Sequence, residues 1–186
     1  MLLPTFKTAR FLIRPYKPSD ADAVWEVVSQ KEIYDTTCAI PHPYPRERVD
    51  WWIQFLKNTA KNGTGYEFGI FQRTDKRYIG NVGLINLSQR HRRAEVCYFI
   101  RRESWNNQCA TEALQCILHY GFERLRCKRI CGRCMTVNPA SRRVMEKCGM
   151  RYEGTARCEL LKDSRFYDID CLSILDNEFF ALTRHS

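Results

Sequence analysis

The spacing of apolar residues alternates between two periods along this chain, and the switches divide it into strands and helices. Phe11-Leu12-Ile13-Arg14 predicts a first strand, stopped by Pro15 and Pro18. Ser19-Asp20-Ala21-Asp22 reads as a capping box opening a helix, with Ala23, Val24, Val27 and Val28 on one face. The proline-rich stretch Ile40-Pro41-His42-Pro43-Tyr44-Pro45 must be extended. Pro45 then suits the first turn of a second helix, where Val49, Trp52, Ile53 and Leu56 keep helical spacing until Asn62-Gly63 ends it. Two strands, 66–72 and 78–87, flank the turn Thr74-Asp75-Lys76, and a third, 94–100, follows a polar loop.

The period then changes. Ala110, Ala113, Leu114, Ile117, Leu118, Gly121, Phe122 and Leu125 form one unbroken helical stripe. A strand at 129–136 comes next, then a helix opened by Pro139 and closed by Gly149. Two last strands, 155–161 and 166–175, flank Asp163-Ser164. The order β-α-α-β-β-β-α-β-α-β-β predicts a mixed α/β (α+β) sheet with helices packed on it.

The chain's 186 residues fit one domain, 1–186, able to bury about 70% of its unfolded surface. With 44% hydrophobic and 27% charged residues it is ordinary globular material. No stretch approaches the roughly 20 apolar residues of a membrane span, so no membrane partner is expected. Met1-Leu2-Leu3-Pro4-Thr5-Phe6-Lys7 has no basic segment followed by a long apolar one, so no signal peptide is expected and the cytoplasm is the default compartment. The ten cysteines lie mostly in apolar runs, where cysteine is a small hydrophobe. Cys131 and Cys134 would point to opposite faces of their strand, poor geometry for one metal. Reduced structural thiols and no metal are therefore expected. The net charge of +9 favours anionic partners. Its clusters, Arg90-His91-Arg92-Arg93 and Arg101-Arg102, lack interleaved aromatics, which disfavours nucleic acid.

Candidate chemistry concentrates where the 94–100 strand feeds the long helix. A helix start offers unpaired N–H groups and partial positive charge, a general anion site. Arg101 and Arg102 precede it, and Asn106-Asn107 tolerate left-handed angles that would turn N–H groups towards a ligand.

The run Trp105-Asn106-Asn107-Gln108-Cys109-Ala110-Thr111-Glu112-Ala113 resembles the acetyl-CoA pyrophosphate loop of the GNAT N-acetyltransferases, in the RimJ/RimL-like branch, whose loops often read W-G-K-G-Y-A-T-E-A. Arg14-Pro15, Tyr78-Ile79-Gly80, Ala94-Glu95-Val96-Cys97-Tyr98, Asn138-Pro139-Ala140-Ser141 and Glu146-Lys147-Cys148-Gly149 fit the same branch, in family order from about residue 10 to 175. The resemblance implies a GNAT fold and acetyl transfer from acetyl-CoA to a primary amine, either a protein N-terminus or a small molecule, by a monomer or homodimer. It departs at Gln108, where the family usually has glycine. If that position needs φ > 0, glutamine strains it.

The resemblance also implies the cofactor-binding set Phe99, Ile100, Arg101, Arg102, Asn107, Gln108, Cys109, Ala110, Thr111, Asn138 and Ser141. Backbone N–H groups around 98–100 would meet the oxyanion. Ser141 matches a serine near the thioester sulfur, as general acid, or else it caps the Pro139 helix. Asn138 either bonds the cofactor arm or forms the turn. Glu95 is the candidate base, a carboxylate inside an apolar strand, unless it pairs with Arg92 or Arg93. Tyr98 is a further proton donor or a core residue. Glu112 suits the helix dipole, His42 could line an acceptor entrance, and His119 has no assigned role. Two rival readings are a non-catalytic CoA-binding module, motivated by Gln108, and a basic nucleic-acid-binding domain.

Overall fold

The computed structural model describes residues 3–184. Met1 and Leu2, on which the leader reading partly rests, lie outside them. Eight strands form one sheet in the order β1-β2-β3-β4-β5-β6-β8-β7. They are β1 (Phe6–Lys7), β2 (Phe11–Arg14), β3 (Tyr66–Gln72), β4 (Tyr78–Ser88), β5 (Arg93–Ile100), β6 (Arg129–Met135), β7 (Arg151–Lys162) and β8 (Arg165–Leu175). Among the described residues, six α-helices flank the sheet: α1 (Ala21–Val28), α2 (Lys31–Thr36), α3 (Glu47–Asn62), α4 (Cys109–His119), α5 (Pro139–Lys147) and α6 (Asp176–Thr183).

Alternation along the strands sorts the core between the two sheet faces. Phe68, Ile70, Val82, Leu84 and Val96 face α4, whose Leu114, Ile117 and Leu118 are essentially inaccessible. Phe71 and Tyr78 face α1 and α3 with Val24, Val27, Val49 and Ile53. Gly63 and Gly149 end α3 and α5 at φ 69° and 84°, as the sequence predicts. Asp163 and Ser164 both take left-handed angles, which a two-residue hairpin turn demands.

Several expectations need correction. The helix expected at Ser19 opens instead with a tight turn, Pro18–Asp20. Asp20 closes that turn, its carboxylate accepting from the Lys17 N–H at 2.7 Å while pairing with Arg14 at 2.7 Å, and neither it nor Ser19 gives α1 a side-chain cap. The long stripe from Ala110 is interrupted, since α4 ends at His119 and a wider π turn spans Tyr120–Arg124. The stripe persists through that turn because Gly121 and Phe122 stay buried. Strand β1, helix α2 and helix α6 have no counterpart in the sequence reading. None buries more than one residue, so no apolar periodicity stands out. Among the described residues, no helix is long and apolar enough to cross a membrane.

Candidate active site

Among the described residues, the only parallel neighbours in the sheet are β5 and β6, which pair at three positions: Arg93 with Arg129, Ala94 with Ile130, and Glu95 with Cys131. Beyond Glu95 they part. β5 continues against β4 as far as Ile100, whereas β6 continues against β8. One edge of β5, from Val96 onward, therefore borders a gap rather than a strand, and unpaired strand edges offer N–H and C=O groups to a ligand. Two cavities open on this gap. A slot of about 250 Å³ runs between the gap, the start of α4 and the length of α5. A cleft of about 540 Å³ lies among α3, the segment after α2, and strands β3 to β7. They share the lining residues Thr36, Thr37, Tyr98, Phe99 and Ser141.

The slot is built around the start of α4. Its first internal bond runs from the Glu112 N–H to the Gln108 carbonyl at 3.0 Å. The preceding amides of Cys109, Ala110 and Thr111 thus have no carbonyl one turn behind them in the helix. All three residues line the slot, with Asn106 and Gln108. Asn106 and Gln108 take φ of 61° and 57°. Such angles cost a non-glycine residue roughly 1–2 kcal/mol, so the strain anticipated at Gln108 is present, while asparagine tolerates the angle at 106. Gln108 is exposed, and the slot persists beside it. Arg10 braces the loop from β2's approach, donating to the Asn107 carbonyl at 2.8 Å and to Glu112 at 2.7 Å. Arg143 and Lys147, four residues apart on α5, add positive charge to the slot wall. The sequence reading gives neither a role, although their spacing puts them on one helix face.

Where slot and cleft meet stand two hydroxyls. The Tyr98 hydroxyl lies 2.8 Å from Ser141 Oγ and also donates to the Ser141 carbonyl at 3.0 Å. Burial pushes the Tyr98 phenol well above its ordinary value, against a smaller opposing effect of the Ser141 bond, so it holds its proton at neutral pH. Ser141 does not cap α5. Asn138 Oδ1 accepts the Ser141 N–H at 3.1 Å, and Asn138 Nδ2 donates to the Thr36 carbonyl at 2.9 Å, tying α2 to α5.

The structure does not bring every anticipated residue to the slot. Arg101 is buried, its guanidinium occupied by Glu26 at 2.8 Å, Glu103 at 3.0 Å and the Tyr78 carbonyl at 3.1 Å. Arg102 stacks over Trp105, with 4.7 Å from guanidinium carbon to ring centroid. Neither they nor Asn107 line either cavity, whereas Phe99, Ile100, Asn138 and Ser141 line the slot. Glu95 lines the cleft and accepts from Asn86 Nδ2 at 3.1 Å, in place of the anticipated pairing with Arg92 or Arg93. His42 is exposed and lies against Tyr34, and His119 sits near Glu123 and Phe179. The basic run at Arg90 lies in the β4–β5 connection, where Arg92 bonds the Arg126 carbonyl at 2.8 Å. Among the described residues, no group of three His, Cys, Asp or Glu side chains is placed to hold a metal ion.

One cleft residue was missed altogether. Glu67 projects from β3, and burial raises its carboxyl above the usual carboxylate range, opposed by bonds from Asn81 and Cys97. Asn81 Nδ2 reaches Glu67 Oε2 at 2.8 Å, and Asn81 Oδ1 accepts the Tyr16 hydroxyl at 2.7 Å, itself 3.0 Å from the Tyr78 hydroxyl. The signal was available: Glu67 stands between Tyr66 and Phe68, a carboxylate in an apolar strand like Glu95.

Comparisons with known proteins agree with this architecture. The chain matches the acetyltransferase (GNAT) domain family over residues 10–151. It is 31% identical over 174 residues to the uncharacterized N-acetyltransferase YoaA of Bacillus subtilis (strain 168), covering 94% of this chain and 98% of the relative. A solved probable acetyltransferase superposes with a TM-score of 0.86 at 27% identity, covering 94% of this chain and 98% of the other. RimL, a ribosomal L7/L12 α-N-protein acetyltransferase solved with coenzyme A, superposes with a TM-score of 0.85 at 15% identity, covering 93% and 99%. That last likeness speaks for the fold alone. The chain belongs to the GNAT acetyltransferase family and is an acetyl-CoA-dependent N-acetyltransferase.

Proposed function

We propose that this chain moves the acetyl group of acetyl-CoA directly onto a primary amine that enters from the opposite side of the β5–β6 gap. The observation that carries the reading is the meeting of slot and cleft at Tyr98 and Ser141. The slot residues fit the donor substrate. The amides at the head of α4, with Arg143 and Lys147, suit a diphosphate, and the open edge of β5 suits an amide-bearing arm. Acetyl transfer then needs a neutral amine, a stabilised oxyanion and a proton for the departing thiolate. Backbone N–H groups of β5 near the gap would hold the oxyanion. Tyr98, protonated and bonded to Ser141, would supply the thiolate's proton.

The acceptor is a protein N-terminus or a small amine. The cleft's apolar walls, with Ile40, Pro41, Tyr44 and Trp52, suit an amine on an apolar body, and its carboxylates Glu67, Glu95 and Glu159 outnumber its guanidinium groups Arg48 and Arg133, the latter paired with Glu159. The putative ribosomal N-acetyltransferase YdaF of Bacillus subtilis (strain 168), 27% identical to this chain over 184 residues, supports a protein N-terminus as the first candidate. The deciding experiment is an acetyl-CoA-dependent thiol-release assay over a panel of N-terminal peptides and small amines. Turnover on at least one acceptor is expected. Tight acetyl-CoA binding with no release on any acceptor would favour the rival reading as a CoA-binding module, which the strained Gln108 motivates.

A further inference from the structure

We propose that Glu67 is the carboxylate that contacts the incoming ammonium and takes its proton, with Asn81 and Tyr16 as positioning residues. The inference rests on the acetyl-transfer reading above.

The geometry that presents Glu67 is specific. Glu67 lies opposite Gly83 of β4, and Gly83 lies opposite Cys97 of β5. A Cβ at Gly83 would come within 2.7 Å of Glu67 Cγ, so the bare backbone there lets the glutamate side chain lie across β4 towards Cys97. Cys97 is within hydrogen-bonding reach of the carboxylate. Asn81, two residues before Gly83, clamps Oε2 at 2.8 Å. Its amide cannot flip without loss, because the Tyr16 hydroxyl occupies Oδ1 at 2.7 Å. Asn81 is buried, so this orientation is held within the core. The carboxylate thereby faces the same cleft as Tyr98, Phe99 and Ser141.

Two influences on Glu67 oppose each other. Burial disfavours its charge, whereas the bonds from Asn81 and Cys97 favour it, and burial wins. A carboxyl so raised is a better proton acceptor than an ordinary surface glutamate. Glu95 is placed less well. It pairs with Cys131, the last position at which β5 and β6 remain together, so it sits at the closed end of the gap.

The step balances as follows. One ammonium N–H bond breaks, and its proton passes to Glu67 and then to solvent through the cleft. The freed nitrogen lone pair attacks the thioester carbon, and the C–S bond breaks as the intermediate collapses. Tyr98 protonates the departing thiolate and is reprotonated, through Ser141, by the second proton leaving the nitrogen.

The test compares Glu67→Gln with Glu95→Gln in thiol release on an acceptor that the wild type turns over, from pH 6 to pH 10. Glu67→Gln should lower kcat/KM by about 10²–10³ near neutrality. The deficit should narrow as pH rises through the acceptor amine's own pKa, because a neutral amine needs no base. Acetyl-CoA Kd by calorimetry should stay within about twofold of wild type, which also reports a folded protein. Glu95→Gln, which removes a cleft charge but no base, should raise the acceptor KM while keeping the wild-type pH profile of kcat. Tyr16→Phe, which frees the Asn81 amide, should shift the acid limb while leaving acetyl-CoA affinity unchanged. A Glu67→Gln enzyme with the wild-type rate and profile, or a deficit equal at every pH, would overturn the proposal. A wild type silent on every acceptor would instead fail the underlying acetyl-transfer reading.

Discussion

The slot takes most of its wall from two short runs, 98–111 and 138–147, whereas the cleft gathers Trp52, Glu67, Asn81, Arg133 and Glu159 from separate helices and strands. The slot relies on backbone: helix-start amides, a strand edge and left-handed loop angles. The cleft relies on side chains held by side chains, as in the Tyr78–Tyr16–Asn81–Glu67 chain and the Arg133–Glu159 pair at 2.5 Å. A constant donor substrate can be met by backbone geometry, which tolerates sequence change. An acceptor that differs among relatives must be met by side chains, which evolution can exchange without disturbing the fold.

That contrast can be attacked directly, beginning at the junction. Tyr98→Phe removes the proton donor yet leaves the ring, so kcat should fall about 10²–10³-fold in the thiol-release assay, with acetyl-CoA affinity retained. A rate within threefold of wild type would move the donor elsewhere. The slot wall should respond next. Reversing charge with Arg143→Glu and Lys147→Glu together should weaken acetyl-CoA binding by roughly 10–100-fold (about 1.4–2.8 kcal/mol), with a shallower salt dependence by calorimetry. Cleft-side variants such as Glu67→Gln should leave that affinity alone.

Gln108→Gly gives a smaller effect and sharpens the backbone argument. Relief of the left-handed strain, partly offset by the freer unfolded chain, should raise Tm by about 2–4 °C. Because the backbone at Gln108 takes φ 57°, an angle that glycine also adopts, acetyl-CoA Kd should change less than about threefold. A large gain in affinity would mean that the side chain obstructs the slot. The smallest effect lies away from both cavities. Glu153 bridges Arg129 and Ser173, and its carboxyl is held down to about 2, chiefly by Arg129. A carboxyl lowered in the fold adds stability above its unfolded value and loses it as pH falls towards 2. Both partners are more than a third exposed, so solvent screens the pair. Glu153→Gln should therefore lower Tm by only about a degree or two at pH 7 and by less at pH 3, by thermal denaturation.

The same contrast explains what could be read from sequence. Residues 98–111 and 138–141 are local, so a strand edge, a helix start and two hydroxyl-bearing residues were visible in order. The direction of the Arg101 side chain was not, because Glu26 and the Tyr78 carbonyl reach it from elements far away in sequence. Nor was Glu67. Its meaning depends on Gly83 lying opposite and Asn81 lying beside it, a register fact that no single stretch carries. Helices α2 and α6 escaped because their burial comes from tertiary contacts and rests on one residue each, Ile33 and Phe179.

The claim on which the whole account turns is that acetyl-CoA occupies the gap between β5 and β6 and meets the acceptor at Tyr98. Hydrogen–deuterium exchange with and without acetyl-CoA tests this most directly. Slowed exchange is predicted along 96–100 and at Cys109, Ala110 and Thr111, with Tyr66–Gln72 of β3 unchanged. Protection that spares the free edge of β5 and the head of α4 would contradict it.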